Sequence, residues 1–303
     1  GKVAIVTGAS RGVGAALAVA LASEGCSVAC AARSTADAPQ RTPGTLDETV
    51  ARARAAGKPG GGDAVAVPAN LAVAEEVASM VARTIEHYGG VDILVNNAAI
   101  TFVGDLTQPL RRHDLTMEVN YRAPYLAIRE AYPSMERRGG GAIVNVSSLA
   151  ALAPLPNMLA YGTSKIALEH LTLDAARELY PKGIAVNCFR IDIPVASEGF
   201  VANTPGADRT GWEPPEVAAE GIVWMLRQPL PYTGRRESMY HLRARERIMP
   251  SQASQPFSGT VPRTELFEGL WEETQPSILR EPHEEGRDAP GHVHRHAKSS
   301  PLA

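Results

Sequence analysis

Cysteine is scarce in this chain: Cys26, Cys30 and Cys188 are an odd number among 303 residues, with no Cys-x-x-Cys spacing. That excludes a disulfide framework and a zinc ribbon, and leaves small buried apolar residues as the default reading. Long apolar runs are missing as well. No stretch approaches the roughly eighteen uninterrupted apolar residues of a membrane-spanning helix. Charge of one sign is also lacking: a formal net charge of -3 with pI near 6.3 gives no long-range attraction for nucleic acid or anionic membrane. Neither is expected as a partner. A strand pattern begins at Val3 with no charged and apolar leader before it, so the expected location is cytoplasmic.

What the chain does have is 44% hydrophobic residues, enough to bury a full core in one large α/β domain or two small ones. Short β-branched runs fall at Val3 to Thr7, Ser27 to Ala31, Ala64 to Val67, Asp92 to Val95, Ala142 to Val146 and Ile184 to Phe189. Helical patterns alternate with them at Val13 to Ser23, Leu46 to Ala56, Ala74 to Tyr88, Leu110 to Arg137 and Met158 to Tyr180, with a further helix from Pro215 to Arg227. Steady alternation of strand and helix predicts a doubly wound parallel sheet of Rossmann type, flanked by helices, with ligands at the carboxyl ends of its strands. Beyond Tyr240 the pattern fades. The expected organisation is one domain over 1–242 and a Pro- and charge-rich extension over 243–303, poorly ordered. Within that extension, Glu265 to Trp271 is an amphipathic piece, either docking or only transiently helical. His292, His294 and His296 alternate, but without another fixed ligand they read as incidental, and no metal is expected.

Tyr161 and Lys165 stand four residues apart in a helical stretch, which places phenol and ammonium on one face. A fixed cation near a tyrosine stabilises the phenolate, and lowering its pKa from 10 to about 7 takes roughly 4 kcal/mol. So tuned, a tyrosine exchanges protons at neutral pH. Ser148 lies just past the apolar run ending at Ser147, at a strand end, where its hydroxyl can hydrogen-bond a substrate oxygen. On its own, Tyr-x-x-x-Lys is more often an ordinary helix face.

Gly8, Ser10, Arg11, Gly12, Val13 and Gly14 follow the first strand and open the first helix, the context a dinucleotide-binding loop requires. Glycine there lets the backbone approach a pyrophosphate, while the helix N-terminus supplies N–H donors. At the end of the second strand, an acid selects a ribose hydroxyl and arginine accommodates a 2′-phosphate. Here Arg33 occupies that place, no acid precedes Asp37, and Arg11 is a second candidate for the same phosphate. The joint placement predicts NADP(H) in preference to NAD(H).

Assembled in order, these residues resemble a classical short-chain dehydrogenase/reductase from Lys2 to about Tyr240. The match rests on Thr7 to Gly14, Asn96-Asn97-Ala98-Ala99, Asn120, Ser147-Ser148, Tyr161-x-x-x-Lys165 and Val186-Asn187. The resemblance implies that Tyr161 is the general acid/base and that Lys165 holds the nicotinamide ribose and lowers the tyrosine pKa. It implies that Ser148 orients the substrate oxygen, with Ser147 the less favoured candidate. Asn120 is expected to support a helix kink and a water leading protons to Lys165. Asn96, Asn97 and Ala98 are expected to line the adenosine and ribose side of the cofactor groove.

Three departures from the family pattern stand out. Asn70, followed by Leu71, replaces the usual aspartate beside the adenine, and its side-chain carbonyl can still accept from the amino group. Ala99 replaces a glycine. After the sixth strand, Arg190 to Ser197 lacks the usual Pro-Gly and Thr, which puts Asp192 near the glycine position and leaves Ile193 for backbone contacts. Asp192 reads either as a local turn-stabilising group or as a ligand for a polar substrate. The long segment Ser34 to Thr49 resembles the hydroxysteroid dehydrogenase-like branch and is expected to cover the adenosine phosphate.

The function expected from this resemblance is NADP(H)-dependent interconversion of a carbonyl and a secondary alcohol on a small apolar substrate, with Ala150 to Leu159, Phe200 and Val201 reading either as its apolar wall or equally as subunit contacts. The alternatives are a non-catalytic nucleotide-responsive binding protein and an epimerase or lyase on the same fold. A homodimer through the long helices is expected. A tetramer is less favoured, because Arg235 to Tyr240 lacks the family's glycines.

Overall fold

The computed structural model describes residues 1–261. Seven strands form one parallel sheet: β1 (Val3–Thr7), β2 (Ser27–Ala32), β3 (Asp63–Pro68), β4 (Ile93–Asn96), β5 (Gly141–Ser148), β6 (Ile184–Ile191) and β7 (Arg236–Ser238). Their spatial order is β3-β2-β1-β4-β5-β6-β7, so the winding direction reverses between β1 and β4. In a sheet of this kind the crevice at that reversal is where ligands bind.

Side chains alternate between the two faces, and each face packs its own helices. Ala4, Val6, Val28, Cys30, Val144 and Val146 join the layer built by α1 (Gly12–Ser23), α2 (Leu46–Gly57), α8 (Pro215–Leu226) and α9 (Met239–Glu246). Ile5, Ala29, Leu94 and Ile143 face α3 (Ala74–Tyr88), α5 (Ala123–Arg137) and α6 (Leu159–Leu179). The three cysteines are free and buried, two of them in the first layer.

Two predicted elements need correction. The single helix expected over Leu110 to Arg137 is α4 (Leu110–Met117), a π-helical turn at Glu118–Arg122, and α5. An inserted residue of this kind leaves the hydrophobic period almost unchanged, so the pattern does not reveal it. The sheet also continues beyond the expected sixth strand, and α7 (Glu198–Asn203) forms in the loop after β6.

The boundary expected at 242 falls inside α9, and the segment to Val261 packs against the body rather than leaving it. All the described residues belong to one compact unit. Met249 is fully buried, and its N–H donates to Glu220 Oε1 at 3.0 Å. Ser251 Oγ and Gln252 N donate to the buried Glu213 carboxylate at 2.7 and 2.9 Å, and Gln255 N donates to Thr210 O. The attachment is made by polar groups and isolated apolar anchors, which leave no periodic signal. The expectations for the remaining tail, including Glu265 to Trp271 and the three histidines, lie outside the described residues. Among the described residues no helix is long and apolar enough to cross a membrane, and no group of three or more His, Cys, Asp or Glu is placed to hold a metal.

At the opposite end of the sheet from the crevice, Asp92 joins three elements. Its carboxylate accepts from Val3 N at 2.8 Å and from Arg138 Nε and Nη2 at 3.0 and 2.9 Å. Burial alone raises its pKa, but these hydrogen bonds and the charges of Arg138 and Lys2 outweigh burial and hold it below the usual aspartate value. Its stabilising contribution is therefore present above the ordinary carboxylate range and is lost as pH falls through the lowered native value. Asp92→Asn is expected to lower unfolding free energy by about 2 kcal/mol at pH 7 in urea melts. The difference from the native protein should shrink in melts below pH 4.

Candidate active site

The loop between β1 and α1 fits a pyrophosphate on backbone grounds. Gly8 and Gly12 have φ of 68° and 55°, in the left-handed region. A Cβ on Gly14 would lie 2.3 Å from Gly8 O, so only glycine lets helix and loop pack this closely. The N-cap of α1, Arg11, makes no side-chain cap and the first turn has no acid, so the helix terminus keeps its N–H donors and positive potential for an anion. Ser10 and Val13 are buried beneath the loop.

Thr7, which the sequence offers only as the first residue of the glycine motif, fixes this loop to the end of β4. Its Oγ1 accepts from Asn97 N and Ala98 N at 3.0 and 3.1 Å and donates to Val95 O. The Asn97 side chain donates to Thr7 O at 2.9 Å and reaches Gly8 O at 3.4 Å. Asn97 and Ala98 thus border the crevice beside the glycine loop. Asn96 does not: it is buried and donates to Asn145 Oδ1 at 2.8 Å inside the molecule. Side chains alternate along a strand, so adjacent asparagines point to different places.

The two arginines expected to share a phosphate have different surroundings. Arg33 is exposed at the end of β2. Arg11 instead clasps the loop that follows β2, its Nε donating to Pro43 O at 2.6 Å and its Nη2 to Thr42 O and Gly44 O at 2.7 and 3.0 Å. Ser34 Oγ reinforces that latch by donating to Gly44 O at 2.8 Å. The long segment after β2 is therefore folded against the glycine loop. Asn70 lies after β3, its Oδ1 accepting from Ala72 N at 3.2 Å, and the neighbouring Leu71 is buried. The carbonyl expected to meet adenine is already part of a local turn.

At the other end of the crevice, Ser148 closes β5, and Tyr161 and Lys165 project from the first turns of α6. The Ser148 hydroxyl faces the Tyr161 phenol and accepts from Ala150 N at 3.3 Å. Lys165 is 2% exposed, donates to Val146 O at 2.8 Å and lies 5.6 Å from the centre of the Tyr161 ring. Burial lowers the Lys165 pKa to about 8, with Cys188 and Glu169 opposing. Burial raises that of Tyr161, and the Ser148 hydroxyl pulls the other way. Desolvation governs the phenol, and the downward tuning by Lys165 expected from sequence is not among the influences on it in this structure.

Asn120 sits fully buried in the π-helical turn. Its Oδ1 accepts from Ile100 N at 2.8 Å, and its Nδ2 donates to Ile100 O and Ser164 Oγ at 2.9 and 3.0 Å. It ties the loop after β4 to α6 one residue before Lys165.

The altered segment after β6 has clear structural roles. Asp192 is buried and its Oδ1 accepts from Tyr240 N at 3.0 Å at the start of α9, so it holds a helix rather than a substrate. The side chain of Ile193 is buried in the core, which leaves its main chain for the crevice. Ser197 caps α7, and a Cβ on Gly12 would lie 2.9 Å from Ser197 Cβ, so this segment closes on the glycine loop. Phe200 of α7 stacks on Trp212 at 4.7 Å.

Sequence reasoning also missed the polar inner face of α6. Lys165, Glu169 and Thr172 share one buried stripe. Thr172 Oγ1 accepts from Asn145 Nδ2 at 2.9 Å, and Glu169 Oε1 accepts from Ser147 Oγ at 2.8 Å. The weak amphipathic contrast of this helix is the signal that was available: polar residues recur at positions an ordinary packing face would fill with Leu.

The model of the short chain dehydrogenase family matches residues 2–193. Dehydrogenase/reductase SDR family member 4 of Homo sapiens is 38% identical over 191 residues, covering 62% of this chain and 64% of that protein. The chain therefore spans just under two thirds of that relative's length. The 3-oxoacyl-(acyl-carrier-protein) reductase FabG of Staphylococcus aureus is 36% identical over 187 residues, 61% of this chain and 72% of that one. Among solved structures, a dehydrogenase/reductase from Sinorhizobium meliloti 1021 superposes with a TM-score of 0.66 at 33% identity, covering 78% of this chain and 93% of that one.

Two outcomes test this geometry. Gly14→Ala is expected to destabilise the fold by about 2 kcal/mol or more in thermal melts, because its methyl would overlap backbone that has no room to move. Keeping Lys165 charged while buried carries a cost that is full below its native pKa near 8 and disappears as pH rises toward the ordinary lysine value. Lys165→Met should accordingly raise Tm at pH 7, and calorimetry at pH 9.5 should find that advantage reduced.

Proposed function

The chain belongs to the short-chain dehydrogenase family, and from that premise we propose that it interconverts a carbonyl and a secondary alcohol with NADP(H), Tyr161 acting as general acid/base. The observation that carries this reading is the meeting of Ser148, Tyr161 and Lys165 at the end of β5, along the same sheet edge as the glycine cradle of β1. The family is one of oxidoreductases acting on CH–OH groups with NAD(P)(H), and reductases appear among the named relatives.

The glycine loop and the N-terminus of α1 would hold the pyrophosphate, with Asn97, Ala98 and the Ile193 main chain along the groove. When bound, the nicotinamide supplies or accepts the hydride. Tyr161 gives its phenolic proton to the developing alkoxide in reduction and takes it back in oxidation. Ser148 donates a hydrogen bond to the same oxygen, a contribution typically worth about 3 kcal/mol of barrier. Lys165 brings a cation toward the phenol and offers donors to a ribose hydroxyl. Asn120 keeps that part of α6 fixed to the loop after β4.

Preference for NADP(H) rests on Arg33, exposed at the end of β2 with no acid beside it before Asp37. Arg11 contributes by latching the Thr42 to Gly44 loop close to that position. An apolar substrate is supported by where exposed hydrophobic side chains concentrate. Val103, Leu106 and Leu110 follow β4, Leu155 and Leu159 follow β5, and Phe200 follows β6. All three segments rise from the carboxyl ends of strands around Ser148. The same reading includes a cytoplasmic location and a homodimer through the long helices, where Tyr125 is exposed on α5.

Tyr161→Phe is expected to cut NADPH-linked carbonyl reduction about a thousandfold, with NADPH affinity by fluorescence titration kept within about twofold. Near-normal turnover would refute the role. Arg33→Ala should weaken NADPH roughly tenfold or more and leave NADH unchanged, as expected for loss of one charged hydrogen bond of about 1.5 kcal/mol. Equal losses for both cofactors would remove the 2′-phosphate argument. A spectrophotometric screen of carbonyls with stoichiometric NADPH consumption separates reduction from epimerase or lyase chemistry.

A further inference from the structure

Glu169 lies one helical turn beyond Lys165, on the face of α6 that packs against the sheet. Its carboxylate and the Arg190 guanidinium are both fully buried. Glu169 Oε1 accepts from Ser147 Oγ and Arg190 Nε, each at 2.8 Å, and Oε2 accepts from Arg190 Nη2 at 2.6 Å. Arg236 Nη1 stands 3.8 Å from the same oxygen. Ser147 and Arg190 are register partners across β5 and β6. One carboxylate therefore grips the ends of two strands, at the residue immediately before Ser148.

Stability alone is a weak reason for such a pair. Desolvating two charges is costly, and packed hydrophobic residues of similar volume usually serve the fold as well or better. Position is the better reason. The rungs Lys165 to Val146 O and Glu169 to Ser147 are adjacent, so the second holds the strand to which the first is attached.

We propose that Glu169 and Arg190 are positioning residues for the reaction centre, fixing the β5 terminus and its Ser148 against the Tyr161–Lys165 face of α6 and placing a balanced charge pair behind Lys165. The inference rests on the oxidoreductase reading of that centre. The groups facing Lys165 are Tyr161 and Glu169 from its own helix, Cys188 from β6 and the Val146 carbonyl from β5. Arg190, Asp192 and Arg236 stand behind Glu169 and Cys188. Cys188 is kept neutral by burial, which pushes its thiol strongly upward. Glu169 is thus the anion that acts on Lys165.

The test uses the full chain in two variants. Glu169→Gln/Arg190→Met leaves neither charge buried alone, and urea melts establish that it folds. In this variant the Lys165 titration, followed by NMR of 13C-labelled lysine and requiring no turnover, is expected to fall by about half a pH unit or more, because the Glu169 charge raises it. Its kcat for carbonyl reduction should drop about tenfold with KM for NADPH within twofold, as expected of a displaced reacting group. Ser147→Ala keeps the ion pair and removes only its link to β5. It should lower kcat about threefold or more without moving the Lys165 titration, and Ser147→Thr should restore the rate.

An unchanged Lys165 titration and unchanged kcat in the double variant would show that the pair serves the fold alone and overturn the proposal. If the double variant does not fold, unchanged kcat in Ser147→Ala overturns it. If the wild-type chain consumes no NADPH with any carbonyl, the oxidoreductase reading fails, and the NMR arm by itself then decides whether the pair acts on Lys165.

Discussion

The attachment of α6 to β5 is the constraint on which the candidate site depends. A helix packed on a sheet through Leu and Ala can slide by fractions of an ångström at little cost. One joined by directional hydrogen bonds cannot. Here Asn145 meets Thr172, Ser147 meets Glu169 and the Val146 carbonyl meets Lys165. These contacts fix the height of Tyr161 above the strand end that carries Ser148. Because every member is buried, each lost partner would leave an unsatisfied polar group, so the register is held firmly.

The crevice at the β1–β4 reversal is held by close backbone approach. Gly14 packs against Gly8 O, the Thr7 hydroxyl gathers the N–H groups of Asn97 and Ala98, and Arg11 draws in the segment after β2. Position along the sheet then determines chemistry. The N-terminus of α1 and Tyr161 lie along one sheet edge because parallel strands present all their carboxyl ends on the same side. Asn120 joins the two regions by spanning from the loop after β4 to α6.

The departures from the family pattern after β6 form a second connected system. Asp192 holds the start of α9, Glu213 receives Arg243, Ser251 and Gln252, and Glu220 receives Met249. Each of these carboxylates attaches part of the segment from Met239 to Val261 to the body of the molecule. The buried Arg190 belongs to the neighbouring system, with Glu169. What reads in sequence as the loss of a glycine motif is, in three dimensions, the introduction of charged groups with assigned partners.

The sequence alone determined the first six strands of the sheet, its doubly wound class, the glycine loop and the Ser148, Tyr161 and Lys165 set, because these are encoded by local rules: hydrophobic period, turn chemistry and fixed spacing. Val3–Thr7 and Ala74–Tyr88 coincide with their predicted bounds, since each is bordered by a sharp change of pattern. Only the tertiary structure decided the rest. The π-helical turn hides within a continuous helical period, and Arg11, Asn70, Asn96 and Asp192 each have a role in sequence and a different partner in space. Arg190 has no role assigned in the sequence, and only the fold brings Glu169, distant along the chain, beside it. A polar side chain satisfies itself with whatever the fold brings near, and that choice is made by long-range packing, which no local pattern contains.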